Sequence, residues 1–454
     1  MRINQKRLRA ELYQGLHDAV ADSVKKTGTE KTQIGTQVIL PATYPGCPRA
    51  MQQNYLDALA IVRKYGRIDY FVTMTANPTW PEIQENLGKG EASHNRPDLV
   101  ARVFHMKFEM LLDEVLQKDV LGKVLAHTWV IEFQKRGLPH AHLLLIVRPE
   151  DKIRTTQDVD KRIVAELPDP HTQPELARII SRSQIHGPCG ARNFNAPCME
   201  NGCCLKNYPK VFTPATTFQE SGYPVYRRRE DSPAAMKAEH RIDARDVVPY
   251  NPYLSKRLNC HLNIEHCASI KAVKYLFKYT YKGHDRASMQ FQLDEVTRYL
   301  DTRYVGPPEA CWRIFKFGMY DISHTIQRLA VHEDSQQRVL FTAGKELEAL
   351  ARADQVPTTL LAWFKLNEVD ERAHEYLYSQ IPEHYTWDKA HGRWKQRMRA
   401  GPAGRVIGRL HSAAPTEEER FYLYLLLLHV RGAKSYADLR TVEGKLFDTF
   451  REAA

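Results

Sequence analysis

Two runs of β-forming residues, 124–133 and 140–147, are joined only by residues 134–139. Gly137 and Pro139 make that connection a turn, so the runs are expected to pair as an antiparallel hairpin. Residues 69–75 (DYFVTMT) are rich in β-formers, are closed by Asn77-Pro78, and read as a further core strand. Between them, Val100, Val103, Phe104, Phe108, Leu111 and Leu112 recur at helical spacing over 99–116. The expected fold class is therefore α+β, a central antiparallel sheet with flanking helices.

The rest of the chain reads more coarsely. Residues 1–65 look mainly helical, with a looser middle at 25–35 and a Pro/Gly turn at 44–49. Helix and loop fill 149–180, strand-like alternation follows over 250–267, and a helix over 270–282. Another helix opens at Pro308 and carries Trp312, Ile314, Phe315 and Phe317. The final hundred residues look helical, with Thr416 and Glu419 as a capping box before an apolar helix over 421–430 that Gly432 ends. With 454 residues there is room for two or three compact units. The expected division is a helical segment 1–65, a central domain 66–345 and a helical segment 346–454. Met1 opens directly into a basic pattern and 451–454 stop without a helix-ending signal, so the chain is expected to belong to a longer polypeptide.

Charge narrows the partner. Lys and Arg number 65 against 54 Asp and Glu, a net charge of +11 and a pI near 9.1. Spread along the chain, this favours a polyanion, nucleic acid before membrane. Residues 1–16 lack an apolar signal core, and the longest apolar run, 421–428, is too short for a bilayer.

Three constellations carry chemistry. His140 and His142 lie two apart on a strand, so both imidazoles share a face, the geometry for gripping one divalent cation. Nineteen histidines in 454 residues give roughly one such pair by chance, but Glu132 and Gln134 share a face across the hairpin. Either supplies an oxygen. Two nitrogens and one oxygen leave open positions, which suits catalytic Mg or Mn. Tyr275 and Tyr279, four apart in KYLFKYTYKGHD, stack on one helix face beside Lys274, Lys278 and Lys282. A tyrosine is nucleophilic only where cations favour its phenolate, since its free pKa is near ~10. Finally, four of the eight cysteines crowd into 189–204. His186, Cys189, Cys198 and Cys204 match a structural zinc site within an insertion at about 181–212, with Cys203 as the spare.

Taken in order, FVTMTANPTWPEI (71–83), EFQKRGLPHAHLLL (132–145), HGPCG (186–190), CMENGCCLKNYPKVF (198–212), KYLFKYTYKGHD (274–285) and CWRIFKF (311–317) resemble the blocks of the Helitron transposase's amino-terminal domain. Segments on both flanks resemble that family too. The resemblance implies a rolling-circle replication-initiator-like nuclease of the His-hydrophobic-His superfamily. FVTMT would be its first strand motif, His140 and His142 its metal pair, and Tyr275 and Tyr279, assisted by Lys278, its nucleophiles. Cys203 departs from the family pattern.

The expected activity is metal-dependent cleavage and rejoining of single-stranded DNA at transposon ends through a 5′-phosphotyrosine link. Thr73, Thr75, Asn77, Arg227, Arg228, Arg229, Lys274 and Lys282 are the expected DNA contacts. Family members continue into a helicase, and no phosphate-binding Gly-x-x-x-x-Gly-Lys-Ser/Thr loop occurs here. A eukaryotic host would place the protein in the nucleus. Two other readings use the same residues: a water-using metal-dependent phosphodiesterase, and a zinc-dependent nucleic-acid-binding module without catalysis.

Overall fold

The computed structural model describes residues 8–14, 16–18, 36–37, 48–133, 137–237, 239–267, 305–398 and 405–454. Among these, one unit draws on 54–267 and 305–323, the other on residues up to 53 and on 324–454.

Strand alternation organises the first unit. Strands β1 (Tyr70–Thr75), β2 (Val124–Phe133), β3 (Pro139–Val147), β4 (His261–His266) and β5 (Tyr320–Ile322) form one sheet in the order β4-β1-β3-β2-β5. Every neighbouring pair is antiparallel. The hairpin expected from sequence is β2–β3, in which Glu132 lies opposite His140 and Val130 opposite His142.

Register then assigns the faces. Val72 and Met74 of β1 point the same way as Ala141, Leu143 and Leu145 of β3, and all are buried. Onto that face a long helix, Pro97–Leu116, brings Val100, Phe104, Phe108 and Leu111. Each such large side chain contributes roughly 1.5–3 kcal/mol by leaving water. The opposite face is divided. Phe71 and Leu144 pack with Ala58, Ile68 and Cys267, Ala58 coming from helix Pro48–Tyr65. One alternation step further along the strands, the same face carries Thr73, Thr75, His140 and His142.

Residues 250–267, expected as strand, divide into a helix and a strand. Pro252 starts a helix that ends at Leu258, and the Asn251 side chain caps it by accepting from Leu254 N. Asn259, in the left-handed region at φ 46°, stops it and admits β4.

The second unit departs further from expectation. Leu8–Leu12, within a stretch expected to be helical, is a strand paired antiparallel with Arg338–Thr342. Its residues are good helix formers, but a helix this short is marginal alone, and a long-range ladder overrides propensity. The final hundred residues are not all helical. Helices Glu346–Gln355, Thr359–Val369 and Glu419–His429 alternate with strands. Thr325–Leu329 pairs in parallel with Val406–Leu410. Strand β6 (Tyr385–Asp388) pairs antiparallel with β7 (Arg393–Gln396). Leu360, Trp363, Tyr378, Leu423 and Leu427 form this unit's core. The expected capping box is absent. Thr416 sits in a separate turn, Pro415–Glu417, and the Glu419 carboxylate accepts from Phe450 N at 2.6 Å. Among the described residues no helix is long and apolar enough to cross a membrane.

Candidate functional site

The polar half of the divided sheet face is built by cross-strand pairs. Thr75 lies opposite His140 and Thr73 opposite His142. The Thr75 hydroxyl meets His140 Nδ1 at 2.8 Å, and the Thr73 hydroxyl meets His142 Nδ1 at 3.1 Å. With Nδ1–H donating to a threonine oxygen, each imidazole carries its lone pair on Nε2, the tautomer a metal ligand needs. The Phe71 ring stacks on His142 at 5.6 Å and 7°, so the apolar half of the face fixes the imidazole plane. Both histidines are buried. Burial, with added repulsion from His142 and His261, lowers the His140 pKa to about 3, which keeps that ring neutral.

Glu132 completes the group. Its carboxylate lies 3.5 Å from His142 Nε2, although its own partner across the hairpin is His140. One carboxylate and two imidazoles thus stand at the same end of the β2–β3 hairpin. Gln134, the other oxygen candidate, lies outside the described residues, as do Lys274, Tyr275, Lys278, Tyr279 and Lys282.

Strand β4 adds polar groups that sequence reasoning missed. His261 stands opposite Thr75 and Asn263 opposite Thr73, extending the two histidine rows. His261 Nδ1 is held by Ser183 O at 2.8 Å. Their spacing, alternate positions of the strand HLNIEH, was visible; their register with Thr73 and Thr75 was not.

The second donor cluster stands on loops. His186, Cys189, Cys198 and Cys204 each offer one ligand atom, and all four atoms lie within 4.8 Å of one another. Tetrahedral zinc with sulfur at about 2.3 Å needs donors somewhat under 4 Å apart, so small adjustments would close the shell. The backbone is shaped for this approach. Gly187 has φ +98°, and a side chain there would meet Cys189 N at 2.9 Å. Met199–Glu200 and Cys203–Cys204 form a two-stranded hairpin, whose alternation turns Cys204 inward and leaves Cys203 exposed. Tyr208 stacks on His186 at 4.2 Å. Burial and the neighbouring thiols push the Cys189 thiol up to about 12, whereas at Cys204 burial is outweighed by hydrogen bonds from backbone N–H groups and the neighbouring thiols, which lower its pKa. Among the described residues this is the one cluster of three or more His, Cys, Asp or Glu donors drawn so closely; His140, His142 and Glu132 are gathered less tightly.

With both clusters described, comparison with known families finds a match over one part of the chain. Residues 1–145 match the Helitron helicase-like domain at N-terminus. That stretch holds β1, the hairpin up to Leu145, both histidines and Glu132, so the match covers the whole of the first cluster. No curated protein matches the chain.

The expected DNA contacts fare differently. Thr73 and Thr75 spend their hydroxyls on imidazoles and act as positioning groups. Asn77 is a turn residue: its amide donates to Asn259 O at 2.7 Å, and its oxygen accepts from Thr79 N. Arg228 is buried, 4% exposed, and its guanidinium donates to the carbonyls of Ala165, Ala244 and Val247. It ties loops together and has no face to offer a strand. Arg229 grips Glu166 through Nε and a terminal nitrogen at 2.9 and 2.8 Å, and Arg227 lies 3.4 Å from the same carboxylate. These three cations were grouped as a run. Alternation sends the middle one inward, and Glu166 engages the outer two.

Proposed function

We propose that the chain is the nuclease part of a Helitron-type transposase, which cleaves and rejoins single-stranded DNA with tyrosine as nucleophile. The observation that carries this is the Thr-braced histidine pair facing Glu132, in the stretch that matches the family. A Mg or Mn ion there would supply positive charge to the scissile phosphate. The chain's own groups do the rest. Thr73 and Thr75 hold the imidazoles in register and tautomer, and Glu132 orients the open side. Tyr275 or Tyr279 then attacks phosphorus. The phenolic O–H is lost, the P–O3′ bond breaks, and the 3′ oxygen leaves as a hydroxyl, giving a 5′-phosphotyrosine. Attack by a 3′-hydroxyl reverses the step and rejoins strands. Lys278 would favour the phenolate.

The His/Cys knuckle serves as a structural zinc site in this reading, supported by its four convergent donors. A helicase in the same parent polypeptide and, in a eukaryotic host, a nuclear site of action belong to the same proposal.

The test is nicking of a labelled single-stranded oligonucleotide in Mg or Mn. His140→Ala/His142→Ala should lose at least about a thousandfold in rate, the scale of removing an electrostatic stabiliser of the transition state, while DNA binding stays near that of the parent. Full nicking by that variant would remove the metal-site assignment.

A further inference from the structure

The second unit holds a charge asymmetry that the nuclease chemistry leaves unused. Residues 389–409 contain seven Lys or Arg and no Asp or Glu. The remainder of 324–454 has 12 Lys or Arg against 18 Asp or Glu. Positive charge is thus concentrated in one segment of an otherwise acidic region, and that segment begins in the β6–β7 hairpin.

The hairpin has two unlike faces. Its inner face is aromatic and anchored. Tyr385 and Trp394 are buried, the Tyr385 hydroxyl donates to Asp370 at 2.8 Å, and Trp394 Nε1 donates to Thr359 O at 3.1 Å. Trp387 packs across the ladder on Trp394 at 5.0 Å. Alternation therefore turns Thr386, Asp388, Arg393 and Lys395 outward, and the Arg393 and Lys395 side chains are 61% and 51% exposed. Lys389 and His391 occupy the exposed turn. Asp388 draws Lys395 Nζ to 2.6 Å, His391 Nδ1 to 2.9 Å and Arg393 Nε to 3.7 Å. One carboxylate thus faces two cations, Arg393 and Lys395, and cannot neutralise both. Arg397 is spent on Pro382 O.

We infer that the outer face and tip of the β6–β7 hairpin, centred on Lys389, Arg393 and Lys395, bind the phosphate backbone of a DNA strand. A protein partner fits less well, because interfaces of that kind need an apolar core, and every aromatic ring of this hairpin faces inward. Charge without apolar anchors is the pattern of sequence-independent phosphate contact. The inference rests on the proposed function only in taking the strand to be single-stranded DNA.

The test is fluorescence anisotropy of a labelled single-stranded oligonucleotide of mixed sequence across a salt series. It uses the full chain carrying His140→Ala/His142→Ala so that no cleavage intervenes. Arg393→Glu/Lys395→Glu should weaken binding at least about tenfold at low salt. Arg393→Gln/Lys395→Gln should flatten the plot of log affinity against log salt by about 1 to 1.5, two phosphate contacts at roughly 0.7 each. Both variants should keep the parent's thermal transition, since the substituted side chains face solvent. Parent-like affinity and slope in the folded glutamine variant would overturn the inference. Because the readout is binding in a cleavage-dead background, it stands or falls separately from the tyrosine chemistry.

Discussion

His140 and His142 stand on β3, a strand buried along its whole length, with hydrogen-bonded strands on both sides. His186, Cys189, Cys198 and Cys204 stand on loops whose apolar contacts amount to Ala196, Met199, Tyr208 and the cysteines themselves. Both groups gather soft or borderline donors, yet their supports are opposite. The sheet holds its imidazoles by packing and by Thr73 and Thr75, so its geometry does not depend on an ion. The knuckle has too small a core to fix four donors, and a bound ion would be the core. An open site on a rigid support suits turnover, and a closed site on loops suits structure.

Breaking the knuckle should give the larger structural effect. Structural zinc is worth about 10–16 kcal/mol in finger peptides, so loss of one ligand should release it. Protein purified without added metal should hold about one zinc per chain, and Cys189→Ser or Cys204→Ser should hold almost none and become protease-sensitive within 186–210. His140→Ala should leave zinc content unchanged. A Cys204→Ser protein that keeps its zinc and resists protease would erase the contrast between the two clusters.

The threonines probe the other side of the comparison. Thr75→Val or Thr73→Val keeps the side-chain shape and removes the hydroxyl that orients an imidazole. Partners of this kind are worth 10–100-fold in metal affinity or activity, so nicking should fall by about that factor with zinc content and thermal transition unchanged. An unaffected Thr75→Val enzyme would show that the sheet alone aims the histidines.

These roles also mark where sequence stopped being informative. The hairpin was legible because 124–133 and 140–147 alternate around a Gly/Pro turn, and the knuckle because its ligands are close in the chain. The threonine–imidazole pairs were not, since β1 and β3 meet across 65 residues and only register reveals which side chains touch. Leu8–Leu12 misled because a partner strand more than three hundred residues away decides its state. In 385–396 the period-two pattern was present in YTWD and RWKQ but was submerged in a long helical reading. Arg227, Arg228 and Arg229 looked like one patch because charge was counted without alternation.

The smallest expected effect belongs to Cys203, exposed beside the inward-turned Cys204. Cys203→Ser should leave zinc content and nicking as in the parent, with stability within about 0.5 kcal/mol. Loss of zinc on this substitution would show that Cys203, rather than one of the four convergent donors, is a ligand.

The most direct measurement traps the covalent product. Single-stranded DNA is incubated with the protein in Mg or Mn, denatured, and the adduct mapped by peptide mass. The account predicts a denaturation-resistant protein–DNA adduct on Tyr275 or Tyr279. The adduct should be absent from Tyr275→Phe/Tyr279→Phe and from His140→Ala/His142→Ala, and retained by Tyr281→Phe, since Tyr281 falls on another face of the expected helix. Cleavage without any adduct, an adduct on Tyr281, or an adduct formed by the double tyrosine variant would contradict it.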